Sequence, residues 1–249
     1  APSAKRKTRS NTPLWGITLK PEAIPLFVGY DPRESVAYHV FCQSVMSNAT
    51  VPVAFHPLAL NMLKGRYKET HNDGSNAFIY SRFLVPHLMG YQGWAIFCDG
   101  DMVCLGDIKN LWELRDESYA AMVVKHNYQT QHKRKYIGTS LETVNVSYPK
   151  KNWSSVILWN CGHEANRVLT PSFVMESVGR QLHRLEHLDD MEIGELPKSW
   201  NWLCQEEGTN HEANLVHFTI GVPGMKHYRD DSQSFAWFNY LEQVNHIQT

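Results

Sequence analysis

The chain has 249 residues with a formal net charge of −1, and 20% of its residues are charged, so it lacks the broad basic surface of a nucleic-acid-binding protein. Hydrophobic residues reach 43%, enough for the core of one large domain, but no apolar run approaches the roughly 18 residues that a bilayer crossing needs. The five cysteines are odd in number and scattered, which favours a reducing compartment over a disulfide framework or a zinc site. These features predict a cytoplasmic α/β protein that binds no nucleic acid.

The first 20 residues form a basic segment in which Lys5, Arg6, Lys7 and Arg9 are not followed by the apolar stretch of a secretory signal. This composition predicts a disordered tail. Its charge suits peripheral attachment to the anionic inner face of a membrane. Residues 21–249 are predicted to form a single domain.

Beyond the tail, apolar strands alternate with amphipathic helices. The pattern predicts a strand over 24–29, a helix over 35–46, a strand over 51–55 and a helix over 76–89 that Ser75 caps. Later elements are predicted over 94–103, 108–114, 120–124, 153–160, 171–187 and 214–218. This alternation indicates a layered, mainly parallel sheet, and ligands bind at the carboxyl ends of the strands in such sheets.

The strand that begins at Trp94 ends in two carboxylates, Asp99 and Asp101, one residue apart. Alternation along an extended chain would place both on one side, where they can bind one divalent cation, and Gly100 between them lets another group approach the backbone. Hard anionic oxygens suit Mg²⁺ or Mn²⁺. A polar turn explains the glycine and one acid, but not two acids beside an apolar run.

Two classes of enzyme carry this arrangement. In nucleotide-sugar glycosyltransferases an Asp-x-Asp holds the metal of a diphosphate leaving group. In magnesium-dependent haloacid-dehalogenase-like phosphatases an apolar strand ends in Asp-x-Asp-x-Thr/Val, a pattern that Val103 completes, with Asp99 as nucleophile and Asp101 as acid and base. That motif normally closes the first strand of its domain, whereas a strand and a helix precede it here, which favours the transferase. A catalytically silent sugar-binding protein on the same scaffold is a third alternative.

In their order along the chain these motifs resemble glycosyltransferase family 8, the group of glycogenin and of bacterial lipopolysaccharide and capsule sugar transferases. Residues 97–108 are similar to its apolar-Asp-x-Asp-apolar-Leu-Gly-Asp-Ile segment, 80–83 to its Tyr-x-Arg helix, 27–31 to its uridine-binding loop and 217–226 to its His-Tyr/Phe-x-Gly loop. The resemblance covers about 25–228. It implies a Rossmann-like fold of the GT-A type, a single domain with a mainly parallel mixed sheet flanked by helices.

The resemblance also implies a set of site residues. His217 would join Asp99 and Asp101 as a metal ligand, and an imidazole in that shell favours Mn²⁺ over Mg²⁺. Asp190 would lie nearest the reacting sugar carbon and Asp189 would bond sugar hydroxyls, as counterparts of the family's Asp-Gln-Asp. The nucleotide and diphosphate would contact Gly29, Tyr30, Asp31, Arg82, Gly100, Gly224 and Lys226, although the spacing from His217 to Lys226 is longer than the family's usual one.

The implied function is a metal-dependent glycosyltransferase that moves a hexose from a UDP-sugar to a saccharide or glycan acceptor with retention of anomeric configuration. Residues 125–151 form a long polar excursion with weak periodicity, and such excursions are often substrate loops. We therefore predict that 125–151 contact the acceptor, with Trp153 beside them.

Overall fold

The structure is a computed structural model that describes residues 23–246. Its strands, in chain order, are β1 Ile24–Gly29, β2 Val53–Leu58, β3 Trp94–Cys98, β4 Met102–Cys104, β5 Ala121–Val123, β6 Arg134–Lys135, β7 Thr143–Val144, β8 Val156–Asn160, β9 Ile193–Glu195, β10 Trp202–Leu203 and β11 Leu215–His217. Six of them form a central sheet in the order β2-β1-β3-β8-β5-β9. Strand β1 is parallel to β2 and β3, and β5 is parallel to β9, whereas β8 runs antiparallel to both of its neighbours. The sheet is therefore mixed and mainly parallel, as predicted.

The α-helices, in chain order, are α1 Ser35–Asn48, α2 Val85–Leu88, α3 Ile108–Trp112, α4 Pro171–Glu176, α5 Gly179–His183, α6 Cys204–Glu207 and α7 Ser234–Asn245. One 3₁₀ turn, Pro32–Glu34, lies between β1 and helix α1. Asp31 caps this turn by accepting a hydrogen bond from the backbone N–H of Arg33. Asp107 caps α3 in the same manner. These short polar turns follow the apolar strands directly, as the sequence pattern predicts.

Strand β3 divides the core into two layers. Its residues Ala95 and Phe97 pack with Phe83 and Trp159 on one face of the sheet. The alternate residues, with Ile96 at their centre, pack with the apolar side of α1 on the other face. All five residues of β3 are buried, because a central strand covered on both faces presents no side to solvent.

A smaller sheet, β10-β11-β4, lies beyond the end of β3. Strand β11 is antiparallel to β4, with His217 opposite Met102, and Phe218 N–H donates to the Asp101 carbonyl at 2.9 Å. This pairing brings a segment from late in the chain against the two acids. Asp99, Gly100 and Asp101 form a bend between β3 and β4, so the acids converge through that bend and not through alternation along one strand.

Two predicted helices are interrupted. Residues 76–80 form turns, and a 3₁₀ turn, Ser81–Leu84, precedes α2, whose first turn contains Pro86, where a missing N–H is tolerated. The helix predicted over 171–187 is two short helices, because Ser177 and Val178 are extended between α4 and α5. Gly179 opens α5 against Tyr80, whose hydroxyl would lie 2.6 Å from a Cβ at this position.

Residues 125–151 contain the β6–β7 hairpin, which is anchored to the segment that follows β11. Tyr136 N–H donates to the Ile220 carbonyl at 2.8 Å, and Ile137 N–H donates to the Tyr228 hydroxyl at 2.9 Å. All five cysteines are free and buried. None of the helices within 23–246 combines the length and the apolarity that a membrane crossing requires. The predicted disordered tail lies outside the described residues.

Candidate metal centre

Asp99, Asp101 and His217 converge at the end of β3. They offer one ligand atom each, and these atoms all lie within 4.8 Å of one another. His217 Nε2 is 3.3 Å from Asp101 Oδ1 and 4.0 Å from Asp99 Oδ2. The three residues are 7%, 4% and 1% exposed. Two carboxylates and an imidazole at this separation fit one divalent cation.

Asn201 orients the imidazole of His217. The Asn201 Nδ2 group donates to the Asn152 carbonyl at 3.1 Å, which turns its Oδ1 toward His217 Nδ1 at 2.9 Å. An amide oxygen only accepts, so Nδ1 carries a proton in this contact and Nε2 is the nitrogen that faces the carboxylates. A ligating histidine is held in this way by a second hydrogen bond in most metal sites.

The charge balance of the centre suits an added cation. Burial and the neighbouring Asp101 raise the pKa of Asp99 to about 6, against the opposing effects of Arg82 and His217. Burial also acts to raise the pKa of Asp101, but the adjacent imidazole holds it below its usual value. Glu34 lies close by, and burial together with Asp101, Asp31 and Asp99 raises its pKa to about 9. Asp101 Oδ1 lacks a hydrogen-bond partner within 23–246, which is the state expected of a buried oxygen that serves a metal.

The metal cavity, as we call the space in front of these three residues, has a volume of about 70 Å³. Two cations line it. Arg82 Nη1 is 2.7 Å from Asp99 Oδ1 and also donates to the Ser154 carbonyl at 2.9 Å. Lys135, from the β6–β7 hairpin, lines the cavity as well. Burial lowers the pKa of its ammonium, although Asp101, Asp99 and Glu34 act in the other direction. The cavity can therefore accept an anion beside a metal.

The residues predicted at the nucleoside end lie next to this cavity, at the end of β1. Asp31 is buried, and its two oxygens accept from the Arg33 backbone and guanidinium at 2.6–3.0 Å and from Ala77 N–H at 2.8 Å. Tyr30 is half-buried, with its ring edge-on to Tyr38 at 5.5 Å. A Cβ on Gly100 would lie 2.5 Å from the Gly29 carbonyl oxygen, so the bend between the two acids packs directly on the end of β1.

Besides Gly29, Tyr30, Asp31 and Gly100, which lie at the end of β1 and in the bend, four predicted site residues do not line the metal cavity. Asp189 and Asp190 are exposed, and Asp190 accepts from Lys150 at 2.7 Å with 84% of its side chain exposed. Lys226 and Gly224 are exposed as well, and Gly224 packs on Trp237, 2.6 Å from the position of a Cβ. Their predicted roles at the sugar carbon and the diphosphate stay predictions.

Sequence reasoning missed three residues that the structure places in or behind the cavity. Asn201 gives no local signal, because it meets His217 only through the pairing of β10 with β11. Lys135 belongs to the excursion over 125–151, but its position against the carboxylates depends on how the hairpin folds back. His183 lies at the end of α5, where its Nδ1 is 2.8 Å from the Ser154 hydroxyl.

Comparison with known proteins places the chain in a family. A sequence model of the family described as glycosyl transferase family 8 matches residues 34–153. Protein CDI of Arabidopsis thaliana is 41% identical over 228 residues, which cover 88% of this chain and 86% of that protein. The chain belongs to glycosyltransferase family 8. It is therefore a glycosyltransferase by family, and nothing in the comparisons supports the phosphatase or the silent sugar-binding alternative.

Solved structures with the same fold are also glycosyltransferases. GlyE of Streptococcus pneumoniae matches with a TM-score of 0.59 at 9% identity, over 89% of this chain and 60% of its own. The galactosyltransferase LgtC, solved with donor and acceptor sugar analogues, matches with a TM-score of 0.53 at 11% identity, over 91% of this chain and 97% of its own. The bifunctional glycosyltransferase WbbM matches at 0.57 and 11% identity over 88% of this chain, which spans 49% of the WbbM chain. At these identities the likeness establishes the GT-A fold.

Proposed function

We propose that this member of family 8 is a metal-dependent hexosyltransferase that uses a UDP-sugar as donor and a saccharide or glycan as acceptor. The observation that carries the proposal is the convergence of Asp99, Asp101 and Nε2 of His217 within 4.8 Å, with two cations on the walls of the same cavity. The imidazole favours Mn²⁺ over Mg²⁺. Such an ion neutralises charge that develops on a diphosphate leaving group.

The cations of the chain have their own role in this proposal. Arg82 is held by the Ile79 and Ser154 carbonyls, so its guanidinium is fixed before a ligand arrives. Lys135 reaches the cavity on the β6–β7 hairpin. Together they would bind the phosphate oxygens and favour departure of UDP without a strong acid. In this role Lys135 takes the place that the sequence resemblance gives to Lys226.

The uridine would lie on the β1 side of the bend, against Tyr30, and the buried Asp31 would hold that loop in place through Arg33 and Ala77. Retention of anomeric configuration is part of the proposal and follows from the family resemblance. The NMR signal of the anomeric proton in the first product formed tests it directly.

The metal and donor assignments are tested by thermal unfolding of the purified chain with UDP, UDP-glucose and UDP-galactose, each with Mn²⁺, Mg²⁺ or chelator. A ligand at one hundred times its dissociation constant adds about 2.7 kcal/mol to the free energy of unfolding, which is a shift of a few degrees. We expect a shift that requires both a uridine nucleotide and Mn²⁺, and that is lost in Asp101→Asn. Asp107→Asn, in a helix cap that does not line the metal cavity, is the matched control. A wild-type chain that no uridine nucleotide stabilises with any metal would refute the proposal.

A further inference from the structure

In residues 144–148 the apolar side chains are exposed and a polar side chain between them is buried. Val144, Val146 and Tyr148 are 62%, 59% and 38% exposed, whereas the intervening Asn145 is buried. Asn145 Nδ2 donates to the Thr130 hydroxyl at 2.9 Å, and its Oδ1 accepts from Lys151 at 2.6 Å. The polar side of this segment is thus bonded to the protein and its apolar side faces outward. In a strand that packs on a core the apolar side is buried instead.

Part of this apolar side forms one wall of a groove that leads into the metal cavity. The side groove, as we call it, has a volume of about 420 Å³, within the range of ligand pockets. Ile79, Tyr148 and His183 line both spaces. The remaining lining residues of the side groove are Asp73, Tyr80, Val146, Gly179, Arg180 and Arg184.

Two residues that line the side groove each carry a buried polar atom with no hydrogen-bond partner among the described residues. These atoms are His183 Nε2 and Arg184 Nε. Buried polar atoms are nearly always hydrogen-bonded, so a pair on one groove points to a ligand with polar groups. Burial and the nearby Arg82 and Lys135 lower the pKa of His183 to about 3, so its imidazole is neutral. A hydroxyl can both donate and accept, and it satisfies Nε2 in either tautomer.

The position of the side groove separates it from the nucleoside end. In the order β1-β3-β8, the loop of Tyr30 follows β1, while Ser154 precedes β8 on the other side of the acids and holds His183. Asp99, from which the metal cavity opens, lies between them. A donor bound across the metal would therefore direct its sugar away from β1 and toward Tyr148.

We propose that the side groove binds the acceptor saccharide, with the apolar face of a sugar ring on Val146 and Tyr148 and its hydroxyls on His183 Nε2 and Arg184 Nε. The inference rests on the proposed donor use and extends it. A pyranose offers one apolar face and a rim of hydroxyls, which matches an apolar wall opposite unpartnered polar atoms. An acyl chain would leave both polar atoms unsatisfied.

The test uses the full chain, Mn²⁺ and the UDP-sugar that gives the largest thermal shift. The acceptor probes are methyl and octyl glycosides of glucose, galactose, mannose and xylose, and the readouts are UDP release above the rate with water and saturation-transfer NMR. Val146→Asp is compared with Val144→Asp, on the same side of the same segment but outside the side groove.

We expect Val146→Asp to raise the KM for the best glycoside about tenfold or more, because it puts a charge against the sugar's apolar face. Val144→Asp should stay within about twofold, as is usual for surface changes. Both variants should keep the thermal shift that UDP gives with Mn²⁺. Equal effects of the two aspartates, no effect of either, or binding that follows the octyl chain whatever the sugar would overturn the inference. The inference would also be overturned if no glycoside of the panel were accepted or bound. If the chain still showed its thermal shift with UDP in that case, the donor assignment would stand.

Discussion

Asn201 Oδ1 lies 2.9 Å from His217 Nδ1, and this bond determines which nitrogen of the imidazole faces Asp99 and Asp101. Both partners are fully buried, and the amide is itself held by the Asn152 carbonyl. Asn201 therefore orients a ligand of the metal centre without contacting any of the three expected ligand atoms. Its contribution can be separated from that of the ligands by substitution.

We expect Asn201→Leu to weaken Mn²⁺ binding in the presence of UDP by about 10–100-fold, the usual cost of losing the hydrogen-bond partner of a ligating histidine. Asn201→Asp keeps an acceptor oxygen on Nδ1 and should retain most of the affinity. Calorimetric titration of Mn²⁺ into each variant measures the effect. Unfolding in chelator provides the control, because a variant that loses affinity only through misfolding would also unfold at a lower temperature without metal.

The two candidate lysines can be compared directly. Lys135 lines the metal cavity, whereas Lys226 is exposed and does not line it. A hydrogen bond to a charged group contributes about 1.5–3 kcal/mol, so Lys135→Ala should weaken UDP binding with Mn²⁺ about 10–100-fold. Lys226→Ala and Lys133→Ala, the latter an exposed lysine just before β6, should change it less than about threefold. A large loss in Lys226→Ala alone would restore the assignment that the family spacing suggests.

Some of the site could be predicted because its signals are local. The apolar run of β3 and the acids behind it place two metal ligands with no knowledge of the remaining chain. His217 required a resemblance to supply its role, since a histidine at the end of a three-residue strand is otherwise a packed residue. Asn201 and Lys135 could not be predicted, because their positions depend on strand pairing and hairpin docking between distant segments.

The same distinction explains the fold predictions. Strands with apolar runs were located correctly, since burial on both faces leaves an unbroken apolar segment. The helix predicted over 171–187 is interrupted at Ser177 and Val178, although the apolar periodicity continues across them. Gly179 then lies against Tyr80, a contact between segments about 100 residues apart that periodicity does not encode.

Asp190 provides a test of the sequence-based catalytic assignment. Its carboxylate is 84% exposed and accepts from Lys150. If Asp190 acts at the reacting carbon, its neutralisation should lower turnover about 100-fold or more. From the observed position we expect Asp190→Asn to keep UDP-sugar turnover within about threefold, the range of exposed substitutions. Stopped assays of UDP release decide between the two, and a loss of 100-fold with unchanged UDP affinity would mean that this loop moves into the cavity when the donor binds.

The buried histidines predict how stability depends on pH. Burial lowers the pKa of His187 to about 4, below its unfolded value of about 6.5. Between these values the unfolded chain binds the extra proton, so the free energy of unfolding should rise with pH across this window, by at most about 1.4 kcal/mol per pH unit for one such group. His187→Phe keeps a ring beside Trp159 and removes the titration, so its curve should be flatter than that of the wild type from pH 4.5 to 6. Urea unfolding in chelator measures the slope.

Asp99, with its pKa raised to about 6, contributes to the slope with the opposite sign. Its contribution is equal in both proteins, so the difference between the curves isolates the histidine. His211→Phe, at an exposed position, should leave the slope unchanged, and an equal flattening in both variants would show that burial of His187 is not the cause.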